Sequence, residues 1–274
     1  MPNPPAAPRT AAGRAGLAAV LERPDSALLA CDYDGTLAPI VVNPAAAAPQ
    51  PGAIQVLTSL AGLLGTVAIV TGRPAETAVR LGGLDGIPGV VVLGSYGAER
   101  WASGALLSST TARLPSGVEA AVALVVGRLP GVRVEDKGTA VAVHVRECPD
   151  PRAAQAHLLE PLESVAQEFG LTVEPGRFVV ELRAPGTDKG AALRLLALER
   201  SAHAVVFIGD DLGDLAAFAE VAAMRHSGGP AGLTIASSSM EAAAVAAAAD
   251  LVLDGPAGVV TWLESLRHAL LTEH

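Results

Sequence analysis

The sequence has few of the residues on which several protein classes depend. Aromatic residues make up only 3% of the 274 residues, although 50% of the chain is hydrophobic, so its apolar side chains are mostly small and aliphatic. That composition fits the closely packed layers of an α/β protein. The two cysteines, Cys31 and Cys148, are too few for a disulfide framework, and no Cys/His cluster has the spacing of a zinc site. We expect no disulfide.

Basic residues are also scarce, at 19 Lys and Arg against 28 Asp and Glu, which gives a net charge of −9. Without an excess of cations to neutralise phosphates over a broad face, a nucleic-acid partner is not expected. No apolar stretch reaches the roughly 18–20 uninterrupted residues that span a bilayer. The short apolar run 16–21 is followed by charged residues instead of a signal-peptide cleavage site. We therefore expect a cytoplasmic protein without a membrane partner. We also expect a monomer or small homo-oligomer.

Continuous apolar runs, each typical of a buried strand, alternate with stretches of helical periodicity. The predicted buried strands are 27–31, 66–70, 90–94 and 204–209, with a last short strand at 252–253. This alternation predicts an α/β fold with a parallel sheet and helices on both faces. In the middle of the chain the pattern changes to helices and alternating strands of an antiparallel sheet, which predicts an inserted second domain. The predicted divisions are a flexible N-terminus with a short helix (1–24, the first dozen residues disordered), the first part of the core (25–111), the insertion (112–182) and the second part of the core (183–274).

Acidic residues follow two of the predicted buried strands. The five are Asp32, Asp34, Asp210, Asp211 and Asp214. Ligands of an open parallel sheet bind at the carboxyl ends of its strands, so we expect these side chains to meet there. Carboxylates so close together repel one another, and their oxygens are hard ligands, so this arrangement predicts a magnesium site. Taken alone, the first pair is also compatible with an ordinary turn, because Asp and Gly favour turns.

Two further features lie at predicted strand ends or helix starts. Thr71, Gly72 and Arg73 offer a hydroxyl and backbone N–H groups beside the start of a helix, which favours anion binding. Lys189 falls in the first turn of another helix, where the helix dipole does not stabilise a cation. A bound anion would explain this position better, although a solvated surface lysine is the alternative for Lys189 alone.

The order of these motifs resembles that of the haloacid dehalogenase superfamily of phosphotransferases. The matching positions, between about residues 28 and 255, are Asp32-x-Asp34-Gly35-Thr36, Thr71, Lys189 and Gly209-Asp210-Asp211-x-x-Asp214. Within the superfamily the chain looks most similar to the trehalose-6-phosphate phosphatases. That similarity is carried by 32–40, 94–99, 134–138 and 181–183 ahead of 186–190. It implies a Rossmann-like haloacid dehalogenase core with a parallel sheet and a smaller inserted α/β cap domain.

The chain departs from the pattern of that family in two of its motifs. Tyr96 stands where the family usually carries His. Gly213 and Leu215 flank Asp214 where the family usually has Thr and Glu, so one secondary acidic group is lost. The carboxylates that the chemistry requires are all retained.

The resemblance implies a role for each motif. Asp32 would be the nucleophile that forms an aspartyl-phosphate, and Asp34 would act first as general acid and then as general base. Mg²⁺ is the implied cofactor, with Asp32, Asp34, Asp210 and Asp214 as its site. Asp214 and Asp211 would hold metal-bound waters or orient Lys189. The implied phosphate-binding residues are Gly35, Thr71, Gly72, Arg73 and Lys189.

The resemblance also implies that the insertion recognises a phosphorylated disaccharide, expected to be trehalose 6-phosphate. The implied sugar-binding residues are Glu99, Glu135, Lys137, Arg146 and Glu181. Without the family context, 135–137 is equally typical of an exposed charged turn. Trp101 is compatible with a sugar-stacking residue and equally with a surface or interface tryptophan. His144 is more typical of a partly buried strand residue.

Alternative functions remain open at this point. A sibling enzyme acting on sucrose phosphate, mannosyl-phosphoglycerate or a phosphorylated hexose would use the same chemistry. A phosphomutase would share the aspartyl-phosphate. A catalytically silent member would bind a sugar phosphate as a sensor or scaffold, but the retained Asp32, Asp34, Lys189 and Asp210 argue against that reading.

Overall fold

The computed structural model describes residues 5–109, 114–127, 129–137, 140–176, 178–186, 188–238 and 243–272. The strands in these residues are β1 (Ala27–Cys31), β2 (Thr66–Val70), β3 (Val90–Gly94), β4 (Glu99–Ala102), β5 (Ala105–Ser109), β6 (Arg133–Asp136), β7 (Ala140–His144), β8 (Thr172–Gly176), β9 (Val179–Arg183), β10 (Ala204–Gly209), β11 (Ala231–Ser237) and β12 (Leu251–Leu253). The α-helices are α1 (Ala11–Glu22), α2 (Ala53–Ala61), α3 (Ala75–Gly82), α4 (Val118–Val126), α5 (Pro151–Phe169), α6 (Lys189–Glu199), α7 (Leu215–His226), α8 (Ala243–Ala248) and α9 (Gly255–Thr272).

The chain divides into two units. The first comprises Met1–Ser109 and Asp188–His274, and the second is Thr110–Thr187. The sequence prediction puts the insertion at 112–182. Its second boundary lies later in the structure because β9 continues to Arg183 and pairs with β7 and β8 as far as that residue.

The first unit is built on an eight-stranded sheet in the order β12-β11-β10-β1-β2-β3-β4-β5. All neighbours are parallel from β12 to β3, whereas β4 and β5 add an antiparallel edge. β1 lies between β10 and β2, so the chain moves outward from β1 in both directions across the sheet. This reversal of strand order is the place where open α/β sheets bind ligands.

Helices cover both faces of this sheet, which is why its central strands are continuous apolar runs. In β1, Leu28 and Ala30 pack on one side with residues of α6 and α7. Leu29 and Cys31 pack on the other side with residues of α2 and α9. All five residues of β1 are buried. The predicted α/β class with its parallel sheet is therefore confirmed.

The second unit is a four-stranded antiparallel sheet in the order β6-β7-β9-β8. Alternate residues of β7 and β9, such as Val141 and Leu182, face α4 and α5 and form the core of this unit. The other face carries polar side chains. Glu135, Ala142, Glu181 and Glu174 lie in register across its four strands.

The N-terminal segment differs from the prediction that the first dozen residues are disordered. The Trp262 indole donates to the carbonyl oxygen of Ala6 at 3.3 Å, and the Arg9 backbone N–H donates to the carbonyl oxygen of Asp250 at 2.8 Å. The Thr10 side chain caps α1 by accepting the N–H of Gly13. These polar partners lie far away in the sequence, which is why composition alone suggested disorder.

No helix in the described part of the chain is long and apolar enough to cross a membrane.

Asp250 ties three elements of the first unit together. Its side chain is 7% exposed and accepts hydrogen bonds from Thr10, from Arg225 at 3.0 Å and from the backbone and hydroxyl of Thr234 at 2.9 and 3.0 Å. Burial raises the pKa of Asp250, but these hydrogen bonds and the charge of Arg225 lower it by a larger amount. The pKa of Asp250 therefore lies below its ordinary value.

We predict that Asp250→Asn lowers the free energy of unfolding by about 3 kcal/mol at pH 7, because it leaves Arg225 without its buried partner. The two tryptophans, Trp101 and Trp262, both belong to the first unit, so fluorescence during urea unfolding reports on this unit. A carboxylate with a lowered folded-state pKa stabilises above its unfolded pKa of about 3.9 and stops doing so as the pH falls through the folded value. The difference between the variant and the parent should therefore shrink below about pH 4.

The matched control is Asp254→Asn, which changes an exposed aspartate nearby. A loss of stability as large in this control, or an unchanged Asp250→Asn, would contradict the role of Asp250.

Candidate active site

Three predicted site residues of the first unit lie at the carboxyl ends of three adjacent strands. Asp32 follows β1, Thr71 follows β2 and Asp210 follows β10. The backbone places Asp32 by donating its N–H to the carbonyl oxygen of Ile208 in β10 at 2.8 Å. Asp32, Thr71 and Asp210 are 4%, 1% and 2% exposed, so these polar side chains are held inside the protein.

Lys189 lies between two of the predicted carboxylates. Its Nζ is 2.8 Å from Asp32 Oδ1 and 2.8 Å from Asp214 Oδ1, and the residue is only 4% exposed. It is therefore not a solvated surface lysine. Burial lowers the pKa of Lys189, but the nearby carboxylates raise it well above its usual value, so the side chain remains a cation.

Asp214 uses both of its oxygens within the protein. While Oδ1 accepts from Lys189, Oδ2 accepts the backbone N–H groups of Asp210 at 2.9 Å and Asp211 at 3.1 Å. Asp214 therefore fixes the lysine and the backbone of the Asp210 loop together. Gly213 and Leu215, where the chain departs from the family pattern, lie in the turn before α7 and at its first residue, and both leave this arrangement intact.

Three carboxylates fit a metal ion. Asp32, Asp210 and Asp214 are all buried, and each offers an oxygen within 4.8 Å of the others. Burial and the adjacent carboxylates raise the pKa of Asp210 to about 10 although Lys189 lowers it. The pKa of Asp32 is raised for the same reasons, burial first. One lysine cannot balance the charge of all three groups once they ionise, and a hard oxygen donor set of this kind suits Mg²⁺.

Asp211 lies beside this cluster. Burial and the charge of Asp214 raise its pKa to about 6, against the lowering effect of Lys189. Its Oδ1 atom is buried without a hydrogen-bond partner among the described residues.

Gly35 permits the close approach of two loops. Its φ is +77°, and an added Cβ would lie 2.0 Å from Asp210 Oδ2, so a side chain at this position would occupy the place of the carboxylate. The Gly35 carbonyl accepts from the Ser237 hydroxyl at 2.7 Å, and Thr36 Oγ1 lies 3.4 Å from Asp210 Oδ1. The glycine therefore brings the β1 loop directly against the Asp210 loop.

Asp34 is paired with a residue that the sequence analysis assigned to phosphate binding. The Arg73 guanidinium donates from Nε to Asp34 Oδ2 at 2.5 Å and from Nη2 to Oδ1 at 2.7 Å. This is a two-point contact of the kind that arginine makes with carboxylates.

The Thr71–Arg73 loop is held by hydrogen bonds within it and to Tyr96, which has an unusual backbone conformation. The Thr71 hydroxyl accepts the Arg73 N–H at 3.2 Å, and the Tyr96 N–H donates to the Thr71 carbonyl at 3.0 Å. Tyr96 has φ of +56°, which costs a non-glycine residue about 1 kcal/mol. Its ring lies so close to Gly72 that a Cβ there would be 2.8 Å from the Tyr96 hydroxyl, so the ring depends on this glycine.

Glu99 occupies the start of a helix. Its Oε2 atom accepts the backbone N–H of Ala75, the first residue of α3, at 2.6 Å. The sequence predicts an external anion at this helix start and a substrate-facing position for Glu99. In the structure the anion at that position is Glu99 itself, supplied by β4.

Three of the predicted sugar-binding residues of the second unit, Glu135, Lys137 and Glu181, lie together on one face of its sheet. Lys137 pairs with Glu181, which is 5% exposed, and His144 Nε2 lies 2.7 Å from Glu135 Oε2. Burial lowers the pKa of His144 although Glu135 raises it, so the ring is neutral at pH 7. Arg146 lies beyond β7, with its guanidinium 6.0 Å from the centre of the Phe178 ring.

Several supporting residues escaped the sequence analysis. Ser237 ends β11, a strand whose mixture of Gly, Thr and Ser gives no strong strand signal. On the second unit, Glu174 was also missed. Its carboxylate accepts a hydrogen bond from Arg183 at 2.6 Å. The register of Glu174 with Glu181 on the adjacent strand would have revealed it, had the strand pairing been known.

Comparison with known proteins agrees with the geometry. The family model of trehalose-phosphatase matches residues 30–256. A trehalose-phosphate phosphatase of Mycobacterium marinum is 35% identical over 253 residues, which covers 88% of this chain. The chain spans 61% of the length of that relative.

Solved structures share the fold. The C-terminal domain of a C. albicans trehalose-6-phosphate phosphatase superposes with a TM-score of 0.79 at 22% identity, covering 97% of this chain and 99% of that one. A haloacid dehalogenase-like hydrolase from Bacteroides thetaiotaomicron has a TM-score of 0.57 at 16% identity, over 86% of this chain and 98% of that one. The first unit thus has the haloacid dehalogenase fold, and by the family match this chain belongs to the trehalose-phosphatase family.

Proposed function

We propose that this protein is a Mg²⁺-dependent phosphatase that hydrolyses trehalose 6-phosphate to trehalose and phosphate. The observation that carries this proposal is the buried cluster at the tips of β1 and β10, where Lys189 holds Asp32 beside Asp210 and Asp214. The family of the chain and the name of its mycobacterial relative support the choice of substrate.

In the first step, an Asp32 oxygen attacks the phosphorus atom, and the bond between phosphorus and the sugar oxygen breaks. Asp34 gives its proton to that oxygen, so trehalose leaves as a neutral alcohol. In the second step, water attacks the phosphorus of the aspartyl-phosphate, Asp34 accepts a proton of that water, and Asp32 is released with free phosphate.

The remaining residues prepare this reaction. Lys189 orients Asp32, and together with Thr71 and the backbone of Gly72 it would bind phosphate oxygens. The N–H of Gly35 is already donated to the Ala38 carbonyl. Asp32, Asp210 and the backbone carbonyl of Asp34 would hold Mg²⁺, and Asp214 would stabilise this site through Lys189 and the Asp210 loop. When bound, the cation would neutralise the charge of the phosphate and of the attacking carboxylate.

We assign recognition of the sugar to the polar sheet face of the second unit. Glu135 on β6, Lys137 just after β6 and Glu181 on β9, across the intervening β7, present charged hydrogen-bonding groups, and groups of this kind discriminate between hydroxyl patterns. Arg146 is proposed to assist at the same face. Glu99 is proposed to hold the Thr71–Arg73 loop in place by accepting the N–H of Ala75 at the start of α3.

The first test is phosphate release from trehalose 6-phosphate, sucrose 6-phosphate, glucose 6-phosphate and mannose 6-phosphate, with Mg²⁺ and with EDTA. We expect release from trehalose 6-phosphate at least about tenfold above the others, since unmatched hydroxyl-binding groups reject the wrong sugar. EDTA should abolish release. Preference for another sugar phosphate would contradict the substrate, and folded protein without any phosphatase activity would contradict the reaction.

Asp32→Asn should lower turnover by much more than about 10²-fold, because the amide cannot form the covalent intermediate. Phosphate release under saturating substrate measures this effect. The matched control is Asp254→Asn, an exposed aspartate outside the site, which should keep parental activity. Retained turnover in Asp32→Asn would exclude Asp32 as the nucleophile.

Asp210→Asn should weaken Mg²⁺ binding by more than about tenfold, because it removes one of three converging carboxylates. Isothermal titration of the substrate-free protein with Mg²⁺ measures the affinity independently of turnover. Asp254→Asn again serves as the control. Equal affinity in the parent protein and in Asp210→Asn would place the metal elsewhere.

A further inference from the structure

The side chain of Asp34 depends on a partner for its position. The residue lies in the loop after β1, where the Gly35 N–H donates to the Ala38 carbonyl at 2.7 Å, and its side chain is 37% exposed. Lys189 is occupied by Asp32 and Asp214. The cation that contacts both oxygens of Asp34 is Arg73.

Arg73 is itself rigidly held. Its guanidinium carbon lies 5.6 Å from the centre of the Tyr33 ring, and Tyr33 is fully buried, with its hydroxyl donating to the Ala47 carbonyl at 2.9 Å. Stacking of this kind suits the planar guanidinium group. Tyr33 thus provides a fixed platform for the arginine side chain.

The backbone of Arg73 is fixed as well. Its N–H donates to the Thr71 hydroxyl at 3.2 Å, and its carbonyl accepts the N–H of Ser95 at 2.8 Å. Ala75, which begins α3 two residues after Arg73, donates its N–H to Glu99. The arginine side chain is only 15% exposed. Its backbone and its guanidinium group are therefore both held in place when they meet Asp34.

We propose that Arg73 is a positioning residue for Asp34, and that it promotes departure of the sugar through that carboxyl group instead of binding the phosphate. Nε and Nη2 of Arg73 are both directed to Asp34, which fixes the plane and the direction of the carboxyl group. This inference rests on the proposed function, since it concerns the step in which Asp34 protonates the leaving group.

The two possible roles of Arg73 differ in how they depend on the leaving group. A sugar alcohol is a poor leaving group and needs a proton as the ester bond breaks, whereas 4-nitrophenolate leaves without one. A residue that acts through the general acid therefore matters for the sugar ester and little for the nitrophenyl ester. A residue that binds phosphate matters equally for both, because both esters carry the same phosphoryl group.

The test measures kcat/KM of Arg73→Gln and Arg73→Lys on trehalose 6-phosphate and on 4-nitrophenyl phosphate. This ratio covers the steps up to release of the first product, so it reports on the step in question. We expect both variants to lose about 10²-fold on the sugar phosphate, the range of general acid catalysis. On the aryl phosphate we expect a loss below about fivefold, because that ester does not need the acid.

A double-mutant cycle with Asp34→Asn provides the second readout. If Arg73 acts through Asp34, adding Arg73→Gln to Asp34→Asn should change kcat/KM for trehalose 6-phosphate by less than about threefold. Arg267→Gln, which changes an ion-paired arginine on α9, is the matched control. If Arg73→Gln does not fold, Arg73→Lys alone and combined with Asp34→Asn carries both readouts.

Equal losses on the two esters, additive effects in the cycle or a gain in activity would each overturn the proposal. Failure of the proposed function would be visible separately in the parent protein. If the parent hydrolyses 4-nitrophenyl phosphate and another sugar phosphate but not trehalose 6-phosphate, the substrate is wrong, and the same comparison tests Arg73 with the sugar phosphate that is hydrolysed. A parent protein that hydrolyses no phosphate ester would overturn both.

Discussion

The contact of Lys189 with Asp32 and Asp214 is the interaction on which the candidate active site depends. A buried ammonium group is tolerated only with close anionic partners, and the buried carboxylates in turn need a cation. Lys189 satisfies both, at 2.8 Å from each aspartate. Lys189 is the first residue of α6. The Asp188 side chain fixes this end of the helix by accepting the N–H of Ala191 at 2.7 Å. The charge that remains unbalanced is what makes a divalent cation fit the cluster.

The topology of the sheet explains why these residues meet although they are far apart in the sequence. β1 lies between β2 and β10, so the loops after these three strands emerge side by side. The second unit is inserted between β5 and α6 and contributes none of these strands. The reactive groups of the first unit and the sugar-reading groups proposed for the second are therefore carried by separate sheets.

Much of this could be predicted from the sequence, because the buried strands are continuous apolar runs. β1, β2, β3 and β10 have the predicted bounds, and the acidic motifs that follow them are local in sequence. β4, β5 and β11 were not predicted, since their composition is mixed and their pairing is decided by neighbours in space. The Asp34–Arg73 contact and the capping of α3 by Glu99 also escaped prediction, because each joins residues whose separation in sequence carries no signal.

The central claim is that Asp32 carries the phosphoryl group during the reaction. Its most direct test is acid quenching of the protein within the first turnover of trehalose 6-phosphate, followed by peptide mapping with mass spectrometry. The account predicts a phosphorylated peptide that contains Asp32 and its disappearance when substrate is exhausted. Turnover without any phosphorylated peptide, or phosphate on a different residue, would contradict the account.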